Sequence, residues 1–482
     1  MTDNLRHKTM SALLWSFLER FGQQGIQFVI GIILARLLLP EEFGLIAMLT
    51  IFMAVAQSFI DSGFGQALIQ KQSADHVDEC SIFYFNILVG CVAAGLLCLA
   101  APYISSFYNQ PILELLTCAL SLNLIINAFG LVQTALLTKT LDFKTQTMVS
   151  VFSMIVTGAV GITMAFYGFG VWSLVAQSVG GNLMRVVLLW FCSDWRPAWL
   201  FSVASLRSMF RFGSKLLASG LLDTVFRNLY LIVIGKVFSA GDLGFYSRAR
   251  QLQHLPVDSL SSVVGRVTFP VFSSVQSDKA RLKRGVKQAL GVLMFVNAPL
   301  MVGLAVTAEP LVLVLLTEKW LPCVPYLQLF CVIGLLYPAH TVNLNVLKAQ
   351  GRSDLFLRLE VIKKLMMIAV IALTYRFGIT VMLYGQICTS VVGYLINSYY
   401  TKKFIEYSVV EQVKDFVPQV LVAVAMGMSV FGLTFLGLES ALVLLISQIG
   451  AGVILYIGFA WLTKNQSFVA CRTQIFEARR GD

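Results

Sequence analysis

The sequence predicts an all-α membrane protein of about fourteen transmembrane helices, with two six-helix lobes related by pseudo-twofold symmetry around a central cavity, plus two C-terminal helices. Three observations predict this fold. Of the 482 residues, 57% are hydrophobic and only 13% are charged, whereas charged residues make up about 25% of a soluble protein. Apolar runs of about 20 residues, the length of a membrane-spanning helix, recur along the chain. The second half of the sequence also repeats distinctive residues of the first half.

The apolar runs indicate helices and exclude a β-barrel. Barrel strands show alternating hydrophobicity over about 10 residues, whereas residues 82–101 are apolar on every face. The predicted spans cover residues 11–37, 43–68, 81–103, 112–137, 147–167, 171–192, 214–235, 244–271, 288–308, 323–347, 361–376, 379–400, 416–437 and 440–462. No stretch between them could hold a soluble domain of even about 50 residues.

The positive charges predict the orientation in the membrane. When residues near the span ends are counted with the adjacent side, 26 of the 36 Lys and Arg residues fall on the side that holds both termini, six on the other side and four inside spans. Since cytoplasmic loops carry the excess of Lys and Arg, both termini are predicted to be cytoplasmic. The net charge of +11 therefore reflects topology, and no nucleic-acid partner is expected.

An internal duplication appears when the sequence is shifted by 200 residues. Chemically distinctive residues then align in pairs: Arg36 with Lys236, Glu42 with Asp242, Gly44 with Gly244, Ser62 with Ser262, and Gly65 with Gly265. Pro40 suits the first turn of the second span, and the acids after it suit the positive end of the helix dipole. The predicted parts are an N-terminal lobe (1–195), an interfacial linker (196–213), a C-terminal lobe (214–404), and the last two spans with a cytoplasmic tail (405–482).

Polar side chains form matching stripes on the first helix of each lobe. Buried charges are costly in a membrane, so they usually face a cavity or a partner. We interpret the stripes as walls of a hydrophilic cavity that meets a polar, anionic cargo. In the alternative interpretation Arg20 pairs with Glu19, and Asp223 with Arg227, as structural ion pairs. The stripes comprise Arg20, Gln23, Gln24 and Gln27 in the first span, and Asp223 and Arg227 in the seventh.

The second span of each lobe adds further polar residues. Asp61 follows Gln57 by one turn, and Arg250, His254 and Asp258 are spaced one turn apart. We assign Asp61 and Arg250 to the cavity. His254 beside Asp258 could carry protons during transport, although a packed, hydrogen-bonded histidine is the alternative.

The sequence contains no Walker A motif, no dinucleotide-binding glycine pattern and no HExxH motif. Its nine cysteines show no metal-ligand spacing, so neither a metal site nor a cofactor is expected, and no catalytic residue is assigned. Transport would be passive or coupled to a gradient of H⁺ or Na⁺.

Four segments (34–45, 61–71, 266–276 and 308–336) resemble the bacterial polysaccharide exporters. These Wzx-type lipid-linked oligosaccharide flippases, the colanic acid exporters among them, belong to the multidrug/oligosaccharidyl-lipid/polysaccharide superfamily. The resemblance covers essentially the whole chain, and the segment around Trp320 is its most specific part. It implies a protein of the bacterial inner membrane that moves undecaprenyl-diphosphate-linked repeat units to the periplasmic leaflet. Surface polysaccharide synthesis (lipopolysaccharide O-antigen, capsule or exopolysaccharide), contact with membrane lipids, and a complex with a polysaccharide polymerase follow as expectations.

Two other functions remain as alternatives. An ion-coupled multidrug exporter of the same superfamily would need a mainly acidic cavity, whereas Arg20 and Arg227 lie on the two stripes. A membrane polymerase or ligase of the same pathway would usually carry catalytic residues on a large periplasmic loop, and no such loop is predicted. We therefore expect a transporter and not an enzyme.

Overall fold

The structure is a computed structural model that describes residues 15, 22–61, 64–71, 74–438 and 440–462, without the side chains of 208–213, 215–216 and 258–267. Within these ranges it contains helices and connecting turns but no β-strand. Two compact units, Met1–Gly244 and Phe245–Asp482, divide the chain. Each unit has its own apolar core.

Unit 1 contains eight helices among the described residues, and the start of a ninth. They are α1 (22–37), α2 (Pro40–Asp61), α3 (Phe64–Gln70), α4 (His76–Tyr108), α5 (Ile112–Lys139), α6 (Phe143–Phe166), α7 (Val171–Cys192), α8 (Val203–Val237) and the first turn of α9 (Ala240–Ser274). Helices α4 and α5 pack along each other, as do α6 and α7, and α2 packs on α8.

Unit 2 contains the rest of α9 and eight further α-helices. They are α10 (Lys279–Val306), α11 (Ala308–Leu315), α12 (Val324–Leu335), α13 (Tyr337–Ala349), α14 (Ser353–Thr374), α15 (Ile379–Ile405), α16 (Val409–Gly432) and α17 (Ala441–Leu462). A 3-10 helix, Glu318–Cys323, lies between α11 and α12. Helix α10 packs along α16 at the centre of this unit.

Eleven helical segments in the described ranges are long and apolar enough to cross a membrane. The prediction of a polytopic helical membrane protein is confirmed. Helices α1, α9 and α14 are not among the eleven, and both α9 and α14 carry several charged residues. The count of fourteen spans stays a prediction.

The duplicated segments form the same local structure at the starts of α2 and α9. Helix α2 begins at Pro40, as predicted, and the Glu42 carboxylate accepts a hydrogen bond from the Leu39 amide at 2.7 Å. In the second copy the Asp242 carboxylate accepts from the Ser239 amide at 3.2 Å. An acid at the third helical position thus caps both helices.

The two copies also contact each other reciprocally. A Cβ atom built on Gly44 would lie 1.7 Å from the Ala240 carbonyl oxygen, and one on Gly244 would lie 2.0 Å from the Pro40 carbonyl oxygen. Since residues 40 and 240 are equivalent, as are 44 and 244, each copy makes the same contact to the other, as across a twofold axis. We call these four residues the reciprocal contact.

Helix α8 differs from the sequence prediction. It runs without interruption from Val203 to Val237, about 52 Å at 1.5 Å per residue, so the later part of the predicted linker and the seventh span form one helix. No proline interrupts this stretch to separate an interfacial helix from the span. Helix α8 belongs to unit 1, where the Thr224 hydroxyl lies 3.3 Å from the Ser58 hydroxyl of α2. The units thus divide at Gly244, while the predicted lobe boundaries stay a prediction.

A buried polar network joins α13, α15 and α16 in unit 2. The side-chain oxygen of Gln412 accepts hydrogen bonds from Asn343 (3.0 Å), Tyr394 (3.2 Å) and Ser398 (3.2 Å). The Asn343 oxygen accepts from the Thr401 hydroxyl at 2.6 Å. These five residues, the sealed network, are all at most 4% exposed. The network fixes α16, the first of the two C-terminal helices, onto unit 2.

A charged cluster lies beside the sealed network. The Tyr407 hydroxyl donates to the Asp415 carboxylate at 2.7 Å, and Lys287 pairs with the same carboxylate at 2.9 Å. Burial, and then the bond to Asp415, raises the pKa of Tyr407 well above its usual value. The phenol therefore remains a donor throughout the physiological range of pH.

Candidate translocation site

The predicted stripe of the first span is only partly within the described residues. Arg20 lies outside them, whereas Gln23 and Gln24 are half-buried on α1 and Gln27 is exposed. Ile30, at helical spacing from Gln23 and Gln27, packs against Gly158 of α6, where a Cβ atom would meet the isoleucine at 2.2 Å. Gln23, seven residues before Ile30, therefore lies on the same face of α1 as Ile30, and the role of the three glutamines in a cavity stays a prediction.

Asp61 stands at the end of a hydrogen-bonded chain from α5 to α2. The Asn127 amide nitrogen donates to the Gln57 oxygen at 3.2 Å, and the Gln57 nitrogen donates to the Asp61 carboxylate at 2.9 Å. Asp61 is exposed, whereas Gln57 and Asn127 are half-buried. The structure therefore links a predicted site residue, through Gln57, to the amide of Asn127 on a second helix.

Asp223 and Arg227 form an ion pair on α8. The Arg227 Nε atom lies 2.6 Å from the Asp223 carboxylate, and the two side chains are 74% and 46% exposed, respectively. This geometry is compatible with both sequence interpretations, because an exposed ion pair can be a local contact or can open to receive an anionic group.

The predicted proton-coupling residues lie on α9. Arg250 donates from Nε to the Nε2 atom of His254 at 3.4 Å, and both side chains are half-buried. The Asp258 side chain lies outside the described part of the structure. In the part of the chain that the structure describes, no three His, Cys, Asp or Glu side chains gather as a metal site would require.

The family is shown by a match over residues 33–325, more than half of the chain, to the family described as "Polysaccharide biosynthesis protein". The chain belongs to the polysaccharide biosynthesis protein family.

Proteins from several bacteria are similar to this chain along most of its length. The lipopolysaccharide biosynthesis protein WzxC of Escherichia coli is 29% identical over 82% of this chain and 81% of its own length. The teichuronic acid biosynthesis protein TuaB of Bacillus subtilis is 27% identical over 89% and 90%. The succinoglycan biosynthesis transport protein ExoT of Rhizobium meliloti is 29% identical over 71% and 69%.

Two solved structures share the fold. The lipid II flippase MurJ, in an inward closed conformation, has a TM-score of 0.76 at 14% identity and covers 94% of this chain and 98% of its own. An inward-facing multidrug resistance transporter of the MATE family, in the MOP superfamily, has a TM-score of 0.60 at 13% identity and covers 80% and 96%. Identities this low show the fold alone.

For this family member, the sequence prediction missed the uncharged amides of α5 and α7. The Asn182 amide nitrogen donates to the Asn123 oxygen at 2.7 Å, and the Asn123 nitrogen donates to the Ser178 hydroxyl at 3.1 Å. A signal was present, because Asn123 and Asn127 are one turn apart, as are Ser178 and Asn182. We define the amide ladder as Gln57, Asp61, Asn123, Asn127 and Asn182.

The structure also explains the most specific segment of the family resemblance. Trp320 is fully buried in unit 2, its ring meets Phe245 edge-on at 6.0 Å, and the guanidinium of Arg248 lies 5.3 Å from its centre. Arg248, which received no role from the sequence, donates to Gln251 at 3.0 Å and is itself buried. The segment therefore holds a tryptophan–arginine contact inside the unit.

Proposed function

We propose that this protein is a flippase that moves undecaprenyl-diphosphate-linked oligosaccharide repeat units across the bacterial inner membrane for surface polysaccharide synthesis. Membership of the polysaccharide family supports the cargo class, since relatives are named for lipopolysaccharide, teichuronic acid and succinoglycan. The fold shared with a lipid II flippase over nearly its full length supports the transport of a lipid-linked sugar. The combination of these two likenesses is the observation that carries the proposal.

The geometry of unit 1 agrees with a polar path through the membrane. Asp61 is exposed at the end of α2, a helix whose segment is apolar enough to span the bilayer. A carboxylate in contact with lipid is very costly, and we infer that Asp61 instead faces water or polar cargo. A passage lined in this way lowers the cost of carrying a charged head group across the hydrocarbon.

Coupling, orientation and partners form the finer part of the proposal. Both termini are cytoplasmic, transport is coupled to a gradient of H⁺ or Na⁺, and the protein acts as a transporter and not as an enzyme. His254 with Asp258 is the candidate proton carrier, and a polysaccharide polymerase is the candidate protein partner.

Deletion of the gene in its native host tests the cargo. We expect loss of surface polysaccharide and accumulation of the lipid-linked repeat unit in the cytoplasmic leaflet. Normal polysaccharide with increased drug sensitivity would instead support the multidrug alternative. Accumulation of repeat units that have already reached the periplasmic leaflet would support the polymerase alternative.

Thiol labelling tests the orientation. Natural cysteines are first replaced, and single cysteines are introduced at Asn109, between α4 and α5, and at Lys283, near the start of α10. An impermeant thiol reagent added to intact spheroplasts should label the first and spare the second. Labelling at position 283 would reverse the topology.

A further inference from the structure

We propose that the amide ladder is the saccharide-binding part of the cargo site, separate from the groups that hold the diphosphate. This inference rests on the proposed function and specifies which moiety of the cargo unit 1 recognises. The ligand class is a hydroxyl-rich, uncharged oligosaccharide.

Two asparagines of the ladder lie near the middle of α5. On α5, Asn123 is eleven residues after Ile112 and Asn127 is twelve residues before Lys139, which places the amides about 17 Å and about 18 Å from the helix ends at 1.5 Å per residue. Helix α5 is itself a candidate membrane span. Polar groups at this depth have no water unless a cavity supplies it.

The two asparagines of α5 lie away from the exposed apolar face of that helix. The exposed apolar residues of α5, which include Leu115, Leu122 and Phe129, repeat every seven residues along one face. Asn123 and Asn127 lie on a different face, about 100–140° around the helix from Leu122. Asn123 is 6% exposed, and its ladder neighbours Asn127, Asn182 and Gln57 are half-buried. The exposed end is Asp61 on α2.

The amide groups of the ladder suit a ligand that both donates and accepts hydrogen bonds. Every amide offers a donor and an acceptor, as every sugar hydroxyl does. Because Asn127 donates to Gln57 and Gln57 donates to Asp61, each of these amides is held in one orientation before a ligand arrives. Preorganised polar groups bind with a smaller loss of conformational entropy.

The charges of the ladder favour sugar over diphosphate. Its one acidic member is Asp61, and none of its five residues is a cation. A diphosphate is negatively charged and offers only hydrogen-bond acceptors. It would be repelled by a carboxylate, and it could not hydrogen-bond to the amide oxygens, which are acceptors too. A neutral saccharide meets neither penalty.

Two binding measurements on the purified full chain in nanodiscs test the proposal. One probe is the oligosaccharide released by mild hydrolysis of the host's surface polysaccharide, which lacks lipid and phosphate. The other is undecaprenyl diphosphate, which lacks sugar. We expect Asn127→Leu and Asn182→Leu to weaken oligosaccharide binding at least tenfold and to change undecaprenyl diphosphate binding by less than twofold.

Asn228→Leu is the matched control, because Asn228 lies on α8, is half-buried, and donates to a carbonyl of its own helix, that of Thr224, at 2.8 Å. It should leave the binding of both probes unchanged. Retained binding of the lipid probe also shows that a ladder variant is folded. If a leucine variant loses both probes, the serine variant at the same position replaces it in the test.

The outcomes separate this inference from the proposed function. A wild-type protein that binds neither probe contradicts the proposed function itself. A wild type that binds both, with ladder variants that bind oligosaccharide equally well, contradicts only the saccharide site. A third outcome would identify the ladder as an ion site and overturn the inference. In that case NaCl stabilises the wild-type protein against unfolding more than choline chloride does, the ladder variants lose this difference, and they still bind the oligosaccharide.

Discussion

The amide ladder of unit 1 and the sealed network of unit 2 use the same chemistry in opposite settings. Each contains asparagine and glutamine side chains, and in each the hydrogen bonds connect three helices that belong to candidate membrane spans. Members of the sealed network are at most 4% exposed, whereas the ladder passes from the buried Asn123 to the exposed Asp61. A closed set of amides has no group left for a ligand and therefore serves stability. An open set can serve recognition.

The largest effect is expected at the centre of the sealed network. Gln412→Leu removes the acceptor of three hydrogen bonds. Asn343, Tyr394 and Ser398 then lack this acceptor in an interior without water. The free energy of unfolding should fall by about 2–4 kcal/mol, because unsatisfied buried polar groups are costly. Unfolding in detergent by titration with dodecyl sulfate measures it. Gln328→Leu is the control, since Gln328 is exposed and bonds one carbonyl, that of Ala305. A similar small change in both variants would show that the network does not stabilise unit 2.

A smaller effect of a different kind is expected in the ladder. Asn182→Leu should reduce transport of the lipid-linked repeat unit roughly tenfold, equivalent to about 1.4 kcal/mol. Its free energy of unfolding should change by less than about 1 kcal/mol, because the side chain is half-buried. Surface polysaccharide in cells and unfolding of the purified protein measure the two quantities. If Asn182→Leu unfolds the protein as Gln412→Leu does, the distinction between open and sealed amides is lost.

Substitution of Tyr407, which lies beside the sealed network, should have a modest, pH-dependent effect on stability. Tyr407→Phe removes the donor to Asp415 and should cost about 1 kcal/mol of stability without altering transport. Since the pKa of Tyr407 is raised in the folded protein, the unfolded chain loses its phenolic proton first as the pH rises. The wild type should therefore lose its advantage over the variant only above the ordinary tyrosine pKa, near about 10. A difference that already shrinks between pH 6 and pH 9 would contradict this.

The smallest effect on stability is expected at the ion pair of α8. Arg227→Ala, Asp223→Ala and the double variant should each change the free energy of unfolding by no more than about 1 kcal/mol, since both side chains are well exposed. Export by the same variants decides between the two interpretations of the pair. Inactive single variants with an active double variant would identify a structural pair. Loss of export in Arg227→Ala that the double variant does not restore would support contact with the cargo.

Much of the fold follows from hydropathy and turn residues. Apolar runs locate the spanning helices, and Pro40 with Glu42 predicts the start of α2, because both signals are local to the chain. The continuity of α8 was not predicted, since residues 196–213 were assigned to an interfacial linker separate from the seventh span. A helix continues through such residues when no proline interrupts it.

The candidate site was predicted less well, because hydropathy indicates depth but not which neighbour a helix face meets. The charged pair on α8 drew attention, whereas the neutral Asn123 and Asn182 did not. Composition also cannot separate ladder from sealed network, since both consist of polar residues in apolar helices. His340 shows the same difficulty. It received no role from the sequence, and its two ring nitrogens lie 3.2 Å from the Ser390 hydroxyl and 3.1 Å from the Asn397 amide, as in a structural residue.

The reciprocal contact has a consequence for how this gene can evolve. After an internal duplication the two copies usually drift apart, because each can mutate alone. Here Gly44 leaves room for the backbone at Ala240, and Gly244 leaves room for the backbone at Pro40. A side chain at either glycine would clash with the backbone of the other copy. Neither glycine can therefore be replaced freely, although each has a duplicate. The two copies of the repeat therefore remain dependent on each other at this contact.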